Sequence, residues 1–315
     1  MLAVATLASC AKEETLSFDK GEAIQFGNAF VENATRANDP SYSANDIDSL
    51  KVYGTVNGVN IYNGNKVSRD GKDYGDVWTC TGTQQYWIAG AQYKFVGIVD
   101  GDKAGVTETT VVNGMPTAIN YTADGETDLL CQTIDRTAET DGTDNAIVAF
   151  NFTHLLSKVK FTVTNNTAST ATRYRYTVSE IKITNANLVG DYAIPGGTWS
   201  GVTTGEYSIP DMTIASNSTV DCEAEVLLIP GTNKVGMTFN VNVQMHDGTT
   251  WKTITTYPKT YTDVKALVAN NAYNFNVTVG LDDDIQFTAT QSPTWDGNDT
   301  TSGIQNGYND TTLTL

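Results

Sequence analysis

The chain has 315 residues, of which 36 are acidic and 19 are basic, so its formal net charge is −17. A surface that binds nucleic acid needs a surplus of basic groups to neutralise phosphates, and this charge therefore excludes nucleic acid as an expected partner. The length suits two domains, and an abundance of Thr, Asn, Gly and Tyr is typical of extracellular β-proteins.

The N-terminus has the pattern of a lipoprotein signal. Residues 1–8 are apolar apart from Thr6, and they lead into LASC, which ends at Cys10, and then into the charged AKEE. The basic segment that opens a signal peptide is missing, so we expect a truncated signal segment over residues 1–10. Small residues ahead of a thiol favour Cys10 as the lipidated residue. An ordinary cysteine in a buried strand is the alternative.

A first β-strand is predicted next, within residues 22–31. Ile24, Phe26 and Phe30 fall on one face of an extended segment, so this face is expected to pack into a sandwich. Arg36 and Ala37 follow, at the start of a polar run that contains NDPSYSAND. Such a run is typical of a segment open to proteolysis.

Apolar alternation then recurs along the chain. The runs KVKFTVTN at 158–165, MTFNVNVQM at 237–245 and YNFNVTVG at 273–280 have a period of two, which predicts strands. Asn-Gly and Asp-Gly pairs between such runs tolerate the positive φ of tight hairpins. Because helical periodicity is scarce, we expect an all-β fold of the sandwich or barrel type.

The aromatic residues between positions 78 and 93 are a candidate binding surface. Trp78, Tyr86, Trp87 and Tyr93 lie close together in the chain, and exposed rings could stack on a sugar. Filling of the core by the same rings is the alternative.

No pattern for a metal or catalytic site occurs in the sequence. His154 and His246 lack partners at metal-ligand spacing. The segment DGDKAGVTETTV at 100–111 departs from a calcium loop, because Ala104 and Val111 stand where ligands are required. We therefore expect no enzymatic activity, no cofactor and no metal.

Three further cysteines, Cys80, Cys131 and Cys222, form no CxxC pair. They are interpreted as small apolar side chains, with one optional disulfide left open.

The polar run TIDRTAETDGTDN at 133–145 is the predicted domain boundary. A new strand, residues 146–152, begins directly after it. The division gives an N-terminal sandwich over residues 37–143 and a C-terminal sandwich over residues 144–281. The polar tail, residues 282–315, ends in an alternating strand with Leu313 and Leu315 on one face, and this strand has no evident partner in its own domain.

As an ordered set, these motifs resemble the fimbrillin family, the subunits of type V pili of Bacteroidetes. The set consists of Cys10, IQF at 24–26, TRA at 35–37, VAFNFTHLLSKVKFTVTN at 148–165 and AYNFNVTVGL at 272–281. The resemblance spans most of the chain, and it implies two transthyretin-like β-sandwiches.

The resemblance also implies a route of assembly. The precursor would be a lipoprotein of the outer membrane, cut between Arg36 and Ala37 by an arginine-specific protease. Loss of the first strand, with Ile24, Phe26 and Phe30 in the propeptide 11–36, would open a groove in the N-terminal sandwich. The tail of another copy or another pilus subunit would fill that groove through Leu313 and Leu315.

Head-to-tail contacts of this kind do not close, so they produce filaments. The implied function is a surface pilus that serves adhesion and biofilm formation, towards a target that the sequence does not identify. A surface lipoprotein that binds glycans through the aromatic residues is the alternative.

Overall fold

The computed structural model describes residues 22–27, 30–31, 47, 49–69, 78–99, 101, 103–139, 147–165, 172–218, 222–279, 285–293, 295 and 311–313. No helix occurs in these parts of the chain, and hence none that could cross a lipid bilayer. The expectation of an all-β fold is confirmed.

The described residues contain 19 strands. They are β1 (Phe30–Val31), β2 (Ser49–Val56), β3 (Val59–Arg69), β4 (Trp78–Cys80), β5 (Gln92–Val99), β6 (Val106–Val112), β7 (Met115–Thr122), β8 (Leu130–Thr137), β9 (Asn151–Phe152), β10 (Ser157–Asn165), β11 (Tyr174–Ala193), β12 (Trp199–Ile209), β13 (Met212–Ala215), β14 (Cys222–Leu228), β15 (Lys234–His246), β16 (Trp251–Ala266), β17 (Ala272–Val279), β18 (Gln286–Ser292) and β19 (Thr311–Leu313).

The first sheet is antiparallel and has the strand order β4-β3-β2-β5-β8. One face of this sheet covers the N-terminal core. That core consists of Ile24, Phe26, Ile47, Leu50, Val52, Tyr62, Val67, Trp87, Ala91, Tyr93, Phe95, Val99, Leu130, Ala138, Val148, Phe150 and Phe152.

Two further sheets enclose the C-terminal core. One has the order β14-β10-β17-β18-β19, in which β10 and β17 run parallel; the other has the order β16-β15-β11-β7-β6, with β12 and β13 also paired to β11. Phe161, Phe239 and Phe275 are among the side chains buried between them. Their alternation along β10, β15 and β17 is the period-two pattern of the sequence.

A third cluster, the junction cluster, joins the two halves. It contains Tyr53, Val96, Ile98, Val106, Ile119, Tyr121, Leu129, Cys131, Leu155, Leu156, Ile194, Leu227, Ile229 and Trp295. Strand β7 also pairs with β11 over five residues, from Ala118 to Thr122. An element from the first half of the chain therefore completes a sheet of the second half.

The division into two sandwiches at residue 143 stays a prediction, and residues 148–152, which it assigns to the second sandwich, contribute side chains to the other core. Val148, Phe150 and Phe152 are buried in the N-terminal core. The polar run before them marks a loop, and local polarity does not specify which core the next strand joins.

A tyrosine near the start of β5 and another near the start of β17 make equivalent hydrogen bonds to the turn that precedes each strand. The Tyr93 hydroxyl accepts a hydrogen bond from Ile88 N (2.7 Å) and donates one to Tyr86 O (3.2 Å). The Tyr273 hydroxyl likewise accepts from Val268 N (2.8 Å) and donates to Ala266 O (3.1 Å).

The segments that carry these contacts, YWIAGAQYKF at 86–95 and ALVANNAYNF at 266–275, align without a gap. Their equivalent turn residues Gly90 (φ 72°) and Asn270 (φ 61°) both adopt the left-handed conformation. The two halves therefore share one local motif.

Candidate first-strand groove

Residues 22–27 lie in a groove of the N-terminal sandwich, which we call the first-strand groove. On one side, Ile24 N donates to Gln85 O and Trp87 N donates to Glu22 O, both at 2.9 Å. On the other side, Gly27 N donates to Val148 O (3.2 Å) and Val148 N donates to Gln25 O (2.8 Å). The segment makes only isolated bridges, Ala23 with Tyr86 and Phe26 with Val148, so it forms no continuous ladder.

Apolar side chains hold the segment in the groove. Ile24 is 3% exposed and Phe26 is 6% exposed. The Phe26 ring meets Tyr62 and Phe95 edge-on, at centroid distances of 5.3 Å and 5.9 Å, and lies parallel to Phe150 at 6.5 Å. Both side chains therefore point into the N-terminal core, on the face that the sequence pattern predicts.

The floor of the groove is built by β5 and by the residues around β9. Phe150 lies against Gly97, where an added Cβ would come within 2.8 Å of its ring. The rings of Phe150 and Phe152 stack at 5.5 Å. The groove floor thus requires glycine at position 97.

The Tyr62, Cys80 and Tyr93 side chains of the groove stay protonated at neutral pH. Burial raises the pKa of Tyr62, with smaller contributions from Cys80 and Tyr93, and burial also raises the pKa of Cys80 to about 11. Burial raises the pKa of Tyr93 as well, although the hydrogen bond from Ile88 N opposes this shift. No group of residues that could hold a metal occurs in the described parts of the chain.

Some of the predicted site residues lie among the described residues, and others lie outside them. Phe30 lies in β1, which runs parallel to β9 with Phe30 opposite Asn151. Cys10, Arg36, Ala37 and Leu315 lie outside the described residues. Their proposed roles stay predictions.

The end of the tail has a partner in its own chain, contrary to expectation. Strand β19 is antiparallel to β18, with Leu313 opposite Phe287 and Thr311 opposite Ala289. The pairing extends over only three residue pairs. So short a run contains too little pattern for its partner to be read from the sequence.

Of the four aromatic residues expected to bind a sugar, Trp87 and Tyr93 are buried, and Trp78 and Tyr86 are half-buried. Trp87 is 3% exposed and Tyr93 is 2% exposed, and their rings meet edge-on at 4.6 Å. The Arg136 guanidinium lies 4.7 Å from the centre of the Trp87 ring. Trp87 and Tyr93 therefore fill the N-terminal core, which was the alternative interpretation.

The groove wall at residues 148–152 was missed by the site prediction. The signal was present, because Val148, Phe150 and Phe152 alternate in VAFNF. The alternation predicts a strand, but it does not identify the groove to which that strand belongs.

The chain was compared with known proteins. A sequence model of fimbrillin-like proteins matches residues 35–293. No curated protein matches the chain.

Two solved structures share the fold. A fimbrial protein from Bacteroides vulgatus has a TM-score of 0.55 at 13% identity, covering 87% of this chain and 99% of its own. A proposed cell adhesion protein from Bacteroides uniformis has a TM-score of 0.50 at 18% identity, covering 87% and 97%. At these identities the likeness concerns the fold alone.

Proposed function

Because this chain belongs to the fimbrillin-like family, we propose that it is a surface pilus subunit that assembles by exchanging the strand in its first-strand groove. Family membership supports the pilus role, the cell-surface location and assembly with other pilus subunits. Strand exchange, the lipid anchor and the processing protease belong to the proposal.

One observation carries the exchange mechanism: residues 22–27 are held by two buried side chains and by four backbone bonds that form no continuous ladder. Burial of Ile24 and Phe26 contributes about 3–6 kcal/mol in gross terms, at about 1.5–3 kcal/mol for each side chain. The four backbone bonds to the groove walls add a modest amount, since each contributes about 0.5–1.5 kcal/mol net. Another strand with the same alternation could replace this segment.

Cleavage between Arg36 and Ala37 is the proposed trigger. Before the cut, the covalent link keeps the first strand at a high effective concentration beside its groove. After the cut, the strand can leave and expose apolar side chains together with unpaired backbone groups. Such an edge recruits an incoming strand.

The tail of another subunit is the proposed occupant. Leu313 and Leu315 repeat the spacing of Ile24 and Phe26, two residues apart on one face of a strand. The tail strand would first have to leave β18, to which three residue pairs hold it. Repeated insertion from copy to copy gives a filament, because the contact does not close.

The precursor would be a lipoprotein anchored through Cys10, and the filament would serve adhesion and biofilm formation. We assign no catalytic role. Cys10→Ala should abolish labelling by a radioactive fatty acid and remove the protein from the outer surface. Normal surface delivery of this variant would exclude the lipid anchor.

The exchange mechanism is tested on purified protein with an arginine-specific protease, using electron microscopy and denaturing gels to detect polymer. The wild type should polymerise after the cut, and Arg36→Ala should not. Arg36→Lys is the matched control, since it should resist this protease and polymerise after a lysine-specific one. Polymer from uncut Arg36→Ala at the wild-type yield would exclude the trigger.

The donor is tested by changing the two faces of the tail strand separately. Leu313→Ala with Leu315→Ala should prevent polymerisation of the cleaved protein, whereas Thr312→Ala with Thr314→Ala should not. Deletion of residues 311–315 should leave a folded, cleavable monomer. Polymer from the deleted form at the full-length yield would show that the donor lies elsewhere.

A further inference from the structure

A buried tryptophan lies in the predicted tail, three residues after the end of β18. Strand β18 ends at Ser292, which is 2% exposed, and Trp295 follows at 7% exposure in the junction cluster. Asp296 and Gly297 come directly after it, a pair typical of turns. Trp295 is therefore a buried residue ahead of the rest of the tail, residues 296–315, which we call the distal tail.

Trp295 contacts two side chains, one from the connection between β9 and β10 and one from the start of β10. Its ring stacks on the His154 imidazole, with 3.8 Å between centroids and 7° between planes. Lys158 Nζ lies 5.3 Å from the ring centre. His154 is itself positioned by Asp128, whose Oδ2 lies 2.5 Å from His154 Nδ1.

A second contact holds the backbone just before Trp295. With its NH₂ group turned toward them, the Asn271 side chain donates to Ser292 O (3.2 Å) and Pro293 O (3.3 Å). The backbone carbonyl of Asn271 accepts a hydrogen bond from Lys158 N (3.0 Å). The two contacts thus converge on Lys158, and we call this arrangement the exit clamp.

The exit clamp and the groove wall belong to one continuous stretch of chain. Val148 bonds to the first strand, and Phe150 and Phe152 form the groove floor. His154 and Lys158 follow within six residues and hold Trp295. The first-strand groove and the exit clamp are therefore joined by one short stretch of chain, residues 148–158.

We propose that Trp295 is the anchor from which the distal tail extends, and that residues 148–158 tie this anchor to the first-strand groove of the same subunit. The role of the tail as a donor rests on the proposed function, whereas the clamp itself does not. With the exit fixed at residue 295, the 18 residues from 296 to 313 reach at most about 60 Å. Tension on the distal tail in a filament is then borne by the contacts of Trp295 with residues 148–158, and the hydrogen bonds of β18 carry less of the load.

The clamp is tested in the full-length monomer by hydrogen exchange with mass spectrometry. Trp295→Ala should speed exchange about tenfold in peptides that cover residues 286–293 and 154–158, because the end of β18 and the start of β10 lose the ring contacts that join them and open more often. Residues 234–246 should exchange as in the wild type. Trp295→Phe keeps an aromatic ring against His154 and should restore slow exchange.

Trp251→Ala is the matched control. Trp251 also contacts a histidine and a basic residue, His246 at 5.1 Å and Arg175 at 4.5 Å, but it lies in the β15–β16 hairpin. This variant should leave exchange in residues 286–293 unchanged. If Trp295→Ala does not fold, Lys158→Gln supplies the test, with faster exchange in the same two peptides. Unchanged exchange there in a folded variant overturns the clamp.

The filament supplies a second readout. Polymer of the Trp295→Ala variant should break into shorter pieces than wild-type polymer at equal shear, although the first strand is still lost on cleavage. Equal lengths would overturn the role of the clamp in bearing load. Failure of the wild type to polymerise would count against the proposed function, while the exchange measurement would still decide the clamp.

Discussion

At the scale of single residues, two tyrosine hydroxyls close the same turn in both halves of the molecule. Tyr93 and Tyr273 each bond to a backbone N–H five residues before them and to a carbonyl seven residues before them. Burial raises the pKa of both hydroxyls, against the opposing effect of the backbone donor, so they stay protonated at neutral pH. They therefore keep the proton that they donate.

Removal of either hydroxyl should destabilise the protein. Tyr93→Phe and Tyr273→Phe leave the amide N–H of Ile88 or Val268 without its partner, which costs about 1–3 kcal/mol. Urea unfolding followed by circular dichroism measures the loss. Tyr257→Phe is the control, because Tyr257 is 44% exposed. A loss of the same size in the control would rule out the turn contact as the cause.

Alkaline pH should destabilise the protein, because its buried tyrosine hydroxyls resist ionisation in the folded state. Burial, followed by the charge and hydrogen bond of Glu108, raises the pKa of Tyr53 to about 12. The unfolded phenol ionises near pH 10, so this contribution to stability is complete below about pH 10 and is lost as the pH rises through about 12. Urea midpoints at pH 8, 10 and 11.5 should fall in that order.

Tyr53→Phe isolates this contribution. The variant should lose less stability between pH 10 and 11.5 than the wild type does. An identical pH dependence in the two proteins would contradict the assignment to Tyr53.

At the scale of the element, the long edge strand β16 is guarded against unwanted pairing. It has 16 residues and, among the described strands, pairs with β15 alone. Pro258 offers no N–H, and Lys252, Lys259 and Lys265 place charge along the strand. The β15–β16 pairing also contains two register shifts. These are the usual means by which an exposed edge is kept from adding another strand.

Removal of these guards should cause association that does not need cleavage. Pro258→Thr with Lys259→Thr restores an N–H and removes a charge, so light scattering should rise in uncut protein. Lys66→Thr in β3, which is paired on both sides, is the charge-matched control. Equal scattering from the control would attribute the effect to charge alone.

At the scale of the whole molecule, the two halves exchange elements. The β6–β7 hairpin joins the sheet of β11, and residues 148–152 fill the N-terminal core. The junction cluster then buries Tyr121 and Leu129 between the halves. Neither half can therefore be cut out at residue 143 without loss of core side chains.

A fragment of residues 11–143 should not fold. It lacks Phe150 and Phe152, which are 2% and 0% exposed in the chain, and the loss of a buried Phe costs about 3–5 kcal/mol. Residues 11–153 keep both rings and should unfold with a sharper transition than residues 11–143, measured by tryptophan fluorescence. A sharp transition in the shorter fragment would contradict the shared core.

The sequence by itself determined the fold class and the inward face of the first strand. Alternation with a period of two is a local property, so Phe161, Phe239 and Phe275 could be assigned to a β core without a structure. The inward placement of Ile24 and Phe26 followed from the same pattern. The family resemblance rested on motifs that can be read directly from the chain.

Only the tertiary structure decided which strands meet. Strand β10 lies parallel to β17, with Val159 opposite Tyr273, and no local pattern specifies a partner more than a hundred residues away. The burial of Trp87, the pairing of β19 with β18 and the seat of Trp295 on His154 are decided in the same way. An apolar side chain gains free energy from any dry surface that fits it, and the arrangement of all the strands together determines which surface that is.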